Sequence, residues 1–208
     1  MKSSTIGMSL LLRSGKVPCM AALLRIVLFF LRLVSGMKIL STERLHLRTM
    51  NPDDAAFYFE LVNDPTWLEN IGDKGVRSVE DARTAIMEGP MAMQAQHGHS
   101  LYVMERQSDG QPLGLCGLIK RDTLPEVDIG YAIRPAYFGQ GYTYEAAAAV
   151  LAYARGQLQL PALMGITKPS NVNSIRLLEK LGLRYIGSEL FPPNTVATNK
   201  YRIAFVPA

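Results

Sequence analysis

The stretch Arg134-Pro135-Ala136-Tyr137-Phe138-Gly139-Gln140-Gly141-Tyr142-Thr143-Tyr144-Glu145-Ala146-Ala147-Ala148-Ala149 sets two closely spaced glycines between a strand pattern and an alanine-rich helix pattern. Upstream, Val127 to Ile133 reads as a strand, and Pro135 stops it. A helix beginning near Tyr142 would turn its unpaired first amides and the positive end of its dipole toward an anion. Glycines at 139 and 141 would let a ligand reach the backbone with no Cβ in the way. Two familiar phosphate loops do not fit. A P-loop needs Lys and then Ser or Thr after its last glycine, where Tyr142 stands. A dinucleotide fingerprint needs a small residue three on from Gly141, where Tyr144 stands. Taken alone, the glycine pair also suits an ordinary tight turn.

Outward from this stretch the pattern is one of strands and helices in succession. Ser41 to Arg48 alternates Leu45 and Leu47 against Arg44, His46 and Arg48, as a half-buried first strand does. Asn51-Pro52-Asp53-Asp54 is a helix start, with a cap, a proline at the first position and acids on the first turn, and Phe57, Leu61 and Val62 offer an apolar face. Ser78, with Asp81 three residues on, marks a second start. Leu101 to Glu105, Pro112 to Ile119 and Val127 to Ile133 form a meander, with Ser108-Asp109-Gly110 as a turn. The central helix extends to about Gln157, followed by a buried strand at Ala162 to Thr167. An amphipathic helix from Asn171 then stops at Gly182. Arg184 to Ser188 and Lys200 to Val206 would complete the sheet.

In order and spacing these segments resemble the GNAT superfamily of acyl-CoA-dependent N-acetyltransferases over nearly all of residues 38 to 206. The family's pyrophosphate loop, Gln or Arg, two residues, Gly, one residue, Gly or Ala, aligns as Ala136 to Gly141. Both small positions match and the first polar one does not. The wider phrase Pro135 to Ala146 is similar to the RimJ/RimL branch, the ribosomal-protein N-acetyltransferase type. The family's second motif, Asn-x-x-Ser followed by Leu-x-x-Lys-x-Gly-Phe, reads Asn171, Ser174, Leu177, Lys180, Gly182 and Leu183 here. The resemblance implies an α+β fold: a mixed, mostly antiparallel sheet of six to seven strands, splayed at the centre, with helices on both faces. It also implies an acetyl-CoA-dependent N-acetyltransferase.

Acetyl transfer from a thioester to an amine needs a neutral amine held at the carbonyl, a stabilised oxyanion and a protonated leaving thiolate. By resemblance, Ile133 would contact the pantetheine arm of acetyl-CoA from the strand edge. Phe138, Gly139, Gly141, Tyr142 and Thr143 would surround the pyrophosphate, and Asn171 and Ser174 would face the pantetheine and thiol end. Helix capping is the competing role for the last two, with Asn173 as another candidate cap. Many family members carry a tyrosine acid where this chain has Leu178. Ser174, water or Tyr131 are the substitutes, and the catalytic pair expected is Asp128 as base and Ser174 as acid. Glu126 is a second candidate base. The missing tyrosine also keeps open a non-catalytic acyl-CoA-binding sensor. The acceptor is either a protein N-terminus or a small-molecule amine, and the former, with a reference pKa of about 8, needs less help than a lysine at about 10.4.

Composition bounds the partners. The first 36 residues carry five of the 22 basic residues and none of the 18 acidic ones, so the remainder has 17 basic against 18 acidic. The basic character therefore belongs to the front of the chain, and nucleic acid is not an expected partner. Ala21 to Val34 is apolar but interrupted by Arg25 and Arg32, short for a membrane span and poor as a secretory signal. Residues 1–36 are expected to be a disordered extension or a mis-assigned start before Met37, with the transferase domain at 37–208 and membrane contact only if that segment is real. Cys19 and Cys116 make no disulfide framework, so a reducing, cytoplasmic setting is expected. No metal site is expected: His97-Gly98-His99 has no nearby Cys partner and reads as a solvated loop. Lys120-Arg121-Asp122 sits toward the acceptor side, and Trp67 is expected to pack the helices flanking it. Monomer and homodimer both stay open.

Overall fold

The computed structural model describes residues 36–191 and 197–205. The expected basic extension, Gly36 apart, and the end of the last expected strand at Val206 lie outside the described residues. Eight strands form one sheet: β1 Lys38–Ser41, β2 Leu45–Thr49, β3 Leu101–Arg106, β4 Pro112–Ile119, β5 Asp128–Ile133, β6 Ala162–Thr167, β7 Arg184–Glu189 and β8 Thr198–Ala204, in the order β1-β2-β3-β4-β5-β6-β8-β7. This is one strand more than the six to seven expected. The run read as a single first strand is a hairpin, closed where Thr42 N–H donates to the Leu45 carbonyl at 2.9 Å and Leu45 N–H donates to Thr42 Oγ1 at 3.0 Å.

The helices are α1 Ala55–Val62, α2 Pro65–Asn70, α3 Val79–Ile86, α4 Ala92–His97, α5 Tyr142–Gly156 and α6 Val172–Lys180. Asn51 caps the 3-10 turn before α1 with its side chain, while Asp54 Oδ2 accepts from Asn51 N–H at 2.9 Å, a reciprocal box. Ser78 Oγ caps α3 through Asp81 N–H at 3.0 Å. Between α3 and α4 the backbone widens to a π-helical stretch, Met87–Met91, around Pro90, which cannot donate an ordinary helical bond. Gly98 ends α4 at φ 72°. His99 then turns inward to 6 % exposure, so this motif is not wholly a solvated loop.

Strand alternation sends side chains to two cores. Tyr102, Met104, Cys116, Leu118 and Ile129 face α5 and α6, where Ala146, Ala147, Val150 and Leu178 meet them. The small alanines let α5 lie close on the sheet. Val103 and Leu115 face the other way, onto Phe57, Leu61, Val62, Ala82 and Ile86 of α1 and α3. Trp67 packs in this second core, as expected.

All neighbouring strands are antiparallel except β5 and β6, which are parallel and share the single pair Asp128 and Met164. Met164 N–H donates to the Val127 carbonyl at 3.0 Å, and beyond that point the strands diverge. The sheet therefore opens toward the carboxyl ends of β5 and β6, the usual place for a ligand crevice.

Candidate active site

The gap has chemical content because of which backbone groups enter it. Arg134 N–H donates to the Leu113 carbonyl on β4, while the Val127 carbonyl accepts from β6. In a strand successive groups alternate in direction. Ile129, Tyr131 and Ile133 therefore aim their N–H and C=O groups away from β4 and toward the side where β6 has withdrawn. Ile133 thus lies at the open end of the gap with a backbone donor and acceptor on that side.

After Ile133 the chain makes a 3-10 turn at Pro135–Tyr137, and Phe138 continues extended and 47 % exposed. Gly139 and Gly141 both adopt left-handed backbone, φ 72° and 80°, and Gly141 is the N-cap of α5. A Cβ at Gly139 would meet nothing within 4 Å, so the space over the loop is open. The first amides of α5, including those of Tyr142 and Thr143, have no intrahelical acceptor. The Tyr142 side chain, by contrast, is buried, edge-on to Tyr137 at 6.5 Å, so only its backbone is available to a ligand. The loop offers open space, glycine backbone and unpaired helix-start N–H groups, the chemistry that holds an anion.

A brace that the sequence pattern does not announce holds this loop. Glu145, on the first turn of α5, accepts from Thr42 Oγ1 at 2.5 Å, Arg44 N–H at 2.8 Å and Arg44 Nε at 2.6 Å. Arg44 in turn donates from Nη1 to the Gln140 carbonyl at 3.0 Å and lies 4.3 Å from the Tyr142 ring centroid. Burial pushes the Glu145 carboxyl up, but the bonds from Thr42 and Arg44 outweigh it and hold it below its ordinary value. An acid at the start of a helix is legible as a dipole effect; its reach to the β1–β2 turn is not.

Asn171 is the cap of α6, with Oδ1 accepting from Ser174 N–H at 3.0 Å, so the competing cap at Asn173 is not used. The Asn171 amide NH2 remains the group it can offer a ligand. Ser174 Oγ lies 2.9 Å from the hydroxyl of Tyr131, which reaches it from β5. One turn further on the same helix face, Leu178 is 1 % exposed and seated against Gly165 of β6. A Cβ on Gly165 would come within 2.5 Å of Leu178 Cδ2, so glycine there is what accommodates the leucine.

Asp128 sits at the fork of the splay, 1 % exposed, with Oδ1 accepting from Arg121 Nε at 2.9 Å. Burial raises its pKa, and Arg121 opposes the rise without cancelling it. Alternation along β5 puts Asp128 on the α1 to α4 side and Tyr131 on the α5 and α6 side. Asp128 and Ser174 therefore flank the gap from opposite faces. Glu126 is instead held by Arg202 through bonds of 2.8 and 2.7 Å to its two oxygens, whereas Arg121 engages only Oδ1 of Asp128. Lys168, just past β6, donates to the Glu69 carbonyl near the end of α2, tying the β6 end of the gap to the helical face.

Comparison with known proteins agrees with this architecture. Residues 44–184 match the family described as the Acetyltransferase (GNAT) domain. The protein YkkB of Bacillus subtilis (strain 168) is 31 % identical over 149 residues, 70 % of this chain and 85 % of that protein. A GNAT-family acetyltransferase structure from Bacillus anthracis superposes with TM-score 0.66 at 25 % identity, covering 79 % of this chain and 96 % of that one. A RimL ribosomal L7/L12 alpha-N-protein acetyltransferase in complex with coenzyme A has TM-score 0.69 at 16 % identity, covering 80 % and 97 %, a likeness of fold. With the splayed sheet, the glycine loop and a family match over most of the described residues, the chain belongs to the GNAT acetyltransferases.

Proposed function

We propose that the protein transfers an acetyl group from acetyl-CoA to a primary amine by direct attack in a ternary complex. The observation that carries this reading is the divergence of β5 from β6 beyond Asp128 and Met164, with the glycine loop at its open end. The pantetheine arm would lie along the free backbone groups of Ile133. The pyrophosphate would sit on Gly139, Gly141 and the amides of Tyr142 and Thr143, with Phe138 beside it. Asn171 and Ser174 would face the thiol end. Asp128 takes the ammonium proton, directly or through water. The amine nitrogen then bonds to the carbonyl carbon and the carbon–sulfur bond breaks with its electron pair going to sulfur; Ser174 protonates the sulfur, the second proton of the attacking nitrogen returns through water to Ser174, and Asp128 releases its proton to solvent. An acyl-enzyme finds no support at Cys116, which is fully buried and whose thiol burial pushes up, away from the reactive thiolate.

The acceptor is a protein N-terminus or a small amine, the former favoured by the RimL likeness. A cytoplasmic location suits such an acceptor, and among the described residues no helix is long and apolar enough to cross a membrane. The test is Asp128→Asn, assayed by release of free CoA. The rate should fall roughly 100-fold or more, as expected for loss of a general base, with acetyl-CoA affinity unchanged. An Asp128→Asn enzyme at the wild-type rate would remove Asp128 from the chemistry.

A further inference from the structure

The chain lacks the tyrosine acid at Leu178, yet a tyrosine hydroxyl still arrives at the same helix from the sheet. Tyr131 lies mid-way along β5, opposite Cys116 of β4, and it is partly buried. Its hydroxyl meets Ser174 twice, at 2.9 Å from Oγ and 3.3 Å from the backbone carbonyl. Ser174 is fixed from below as well, since its N–H is bonded to the capping Asn171. Leu178, one turn on, is locked against Gly165 and offers no hydrogen bond.

We propose that Tyr131 is a positioning residue for the reaction: its O–H donates to Ser174 Oγ and leaves the serine's own hydrogen free to point into the gap, toward the departing sulfur. The phenol has one hydrogen for two neighbouring acceptors, and the nearer is Oγ, at 2.9 Å against 3.3 Å for the backbone carbonyl; a phenol, the more acidic group, is also a better donor than an alcohol. Burial keeps the phenol protonated, so it acts as a fixed donor and not as a base. Without it, the serine hydroxyl is free to rotate and spend its hydrogen elsewhere, and a leaving thiolate must wait for solvent. The hydroxyl that Leu178 cannot provide thereby comes from Ser174, one helical turn earlier, oriented by Tyr131 from the β5 side.

This inference rests on the proposed role of Ser174, and the experiment separates the two. Tyr131→Phe, Ser174→Ala and the double variant are compared by steady-state CoA release with an accepted amine, with thermal unfolding as a control. Tyr131→Phe removes one oxygen. It should lower kcat roughly tenfold, the worth of one well-placed hydrogen bond, while KM for acetyl-CoA stays within about twofold. In the Ser174→Ala background the same change should cost nothing further, because the effect runs through Ser174. Equal losses from Tyr131→Phe in both backgrounds, or no loss in the wild type, would overturn the positioning role while leaving Ser174 as acid. A Ser174→Ala enzyme at the full wild-type rate would overturn the acid assignment itself, and the positioning role with it.

Discussion

Replacing Glu145 tests whether the brace between the β1–β2 turn and α5 holds the glycine loop. The Glu145 side chain is 18 % exposed and accepts three hydrogen bonds, two from Arg44 and one from Thr42. The guanidinium of Arg44 is 41 % exposed, so water competes for that bond and it counts for little. The bonds from Thr42 Oγ1 and the Arg44 amide go to a charged acceptor in a part-buried place, at least about 1.5 kcal/mol each. Glu145→Ala should therefore cost roughly 3 kcal/mol in urea unfolding at pH 7, and Glu145→Gln, which keeps an acceptor oxygen, about half as much. Because the folded pKa of Glu145 is depressed, its contribution is present above the unfolded value of about 4.3 and lost as pH falls through the lower folded value. The stability gap between wild type and Glu145→Gln should close on acidification across that window. Arg44, once released, no longer fixes the Gln140 carbonyl, so KM for acetyl-CoA should rise in both variants while kcat at saturation changes less. A Glu145→Ala protein within about 0.5 kcal/mol of wild type, the span of an ordinary surface substitution, would refute the brace. A large stability loss with unchanged KM would refute its link to the loop.

Other perturbations address the remaining parts. Gly139→Ala should fold, at a backbone cost of about 1–2 kcal/mol for its left-handed φ of 72°, but should bind acetyl-CoA several-fold more weakly in calorimetry. Gly156→Ala, in open space at the end of α5, should instead stabilise by about 0.5 kcal/mol and leave kinetics alone. Arg48 pairs with Asp54 at 2.8 Å and Glu105 at 2.7 Å with only 14 % exposure; Arg48→Ala leaves both carboxylates without it and should cost about 3 kcal/mol in urea unfolding. With Asp128 as the proposed base, working only when ionised, its raised pKa should put the ascending limb of kcat/KM above the usual carboxylate value of about 3.9, and that limb should vanish in Asp128→Asn.

Local chemistry explains what is legible in the letters. Caps at Asn51 and Ser78, the stop at Gly182 and the two glycines of the loop each need a particular residue at a particular backbone position, so they can be read one at a time; at Asn171 the letters leave Asn173 as a rival cap that only the structure removes. The alternation of Leu45 and Leu47 against His46 and Arg48 in β2 is equally plain. The hairpin between β1 and β2 escapes such a reading because Thr42, Glu43 and Arg44 carry no glycine or proline, and the turn is held by Thr42 bonding to Leu45. His97-Gly98-His99 misleads because polarity suggests exposure, whereas the Gly98 helix stop turns His99 into the fold. The bonds of Glu145 with Thr42 and Arg44, of Arg202 with Glu126 and of Tyr131 with Ser174 join residues between 43 and 103 positions apart. No periodicity encodes such pairs; they follow from the strand order, which becomes visible only when the sheet is assembled.

Acetyl transfer is measured by mixing the protein with acetyl-CoA and a panel of amines, peptides with free N-termini alongside small polyamines, amino acids and aminoglycosides, and following free CoA with the acetylated product. A transferase releases CoA only with an acceptor present, one for one with acetylated amine, and that is the expected result. Tight binding of acetyl-CoA with no turnover of any amine would contradict it in favour of a sensor, and failure to bind acetyl-CoA would contradict the reading of the Gly139 to Thr143 loop itself.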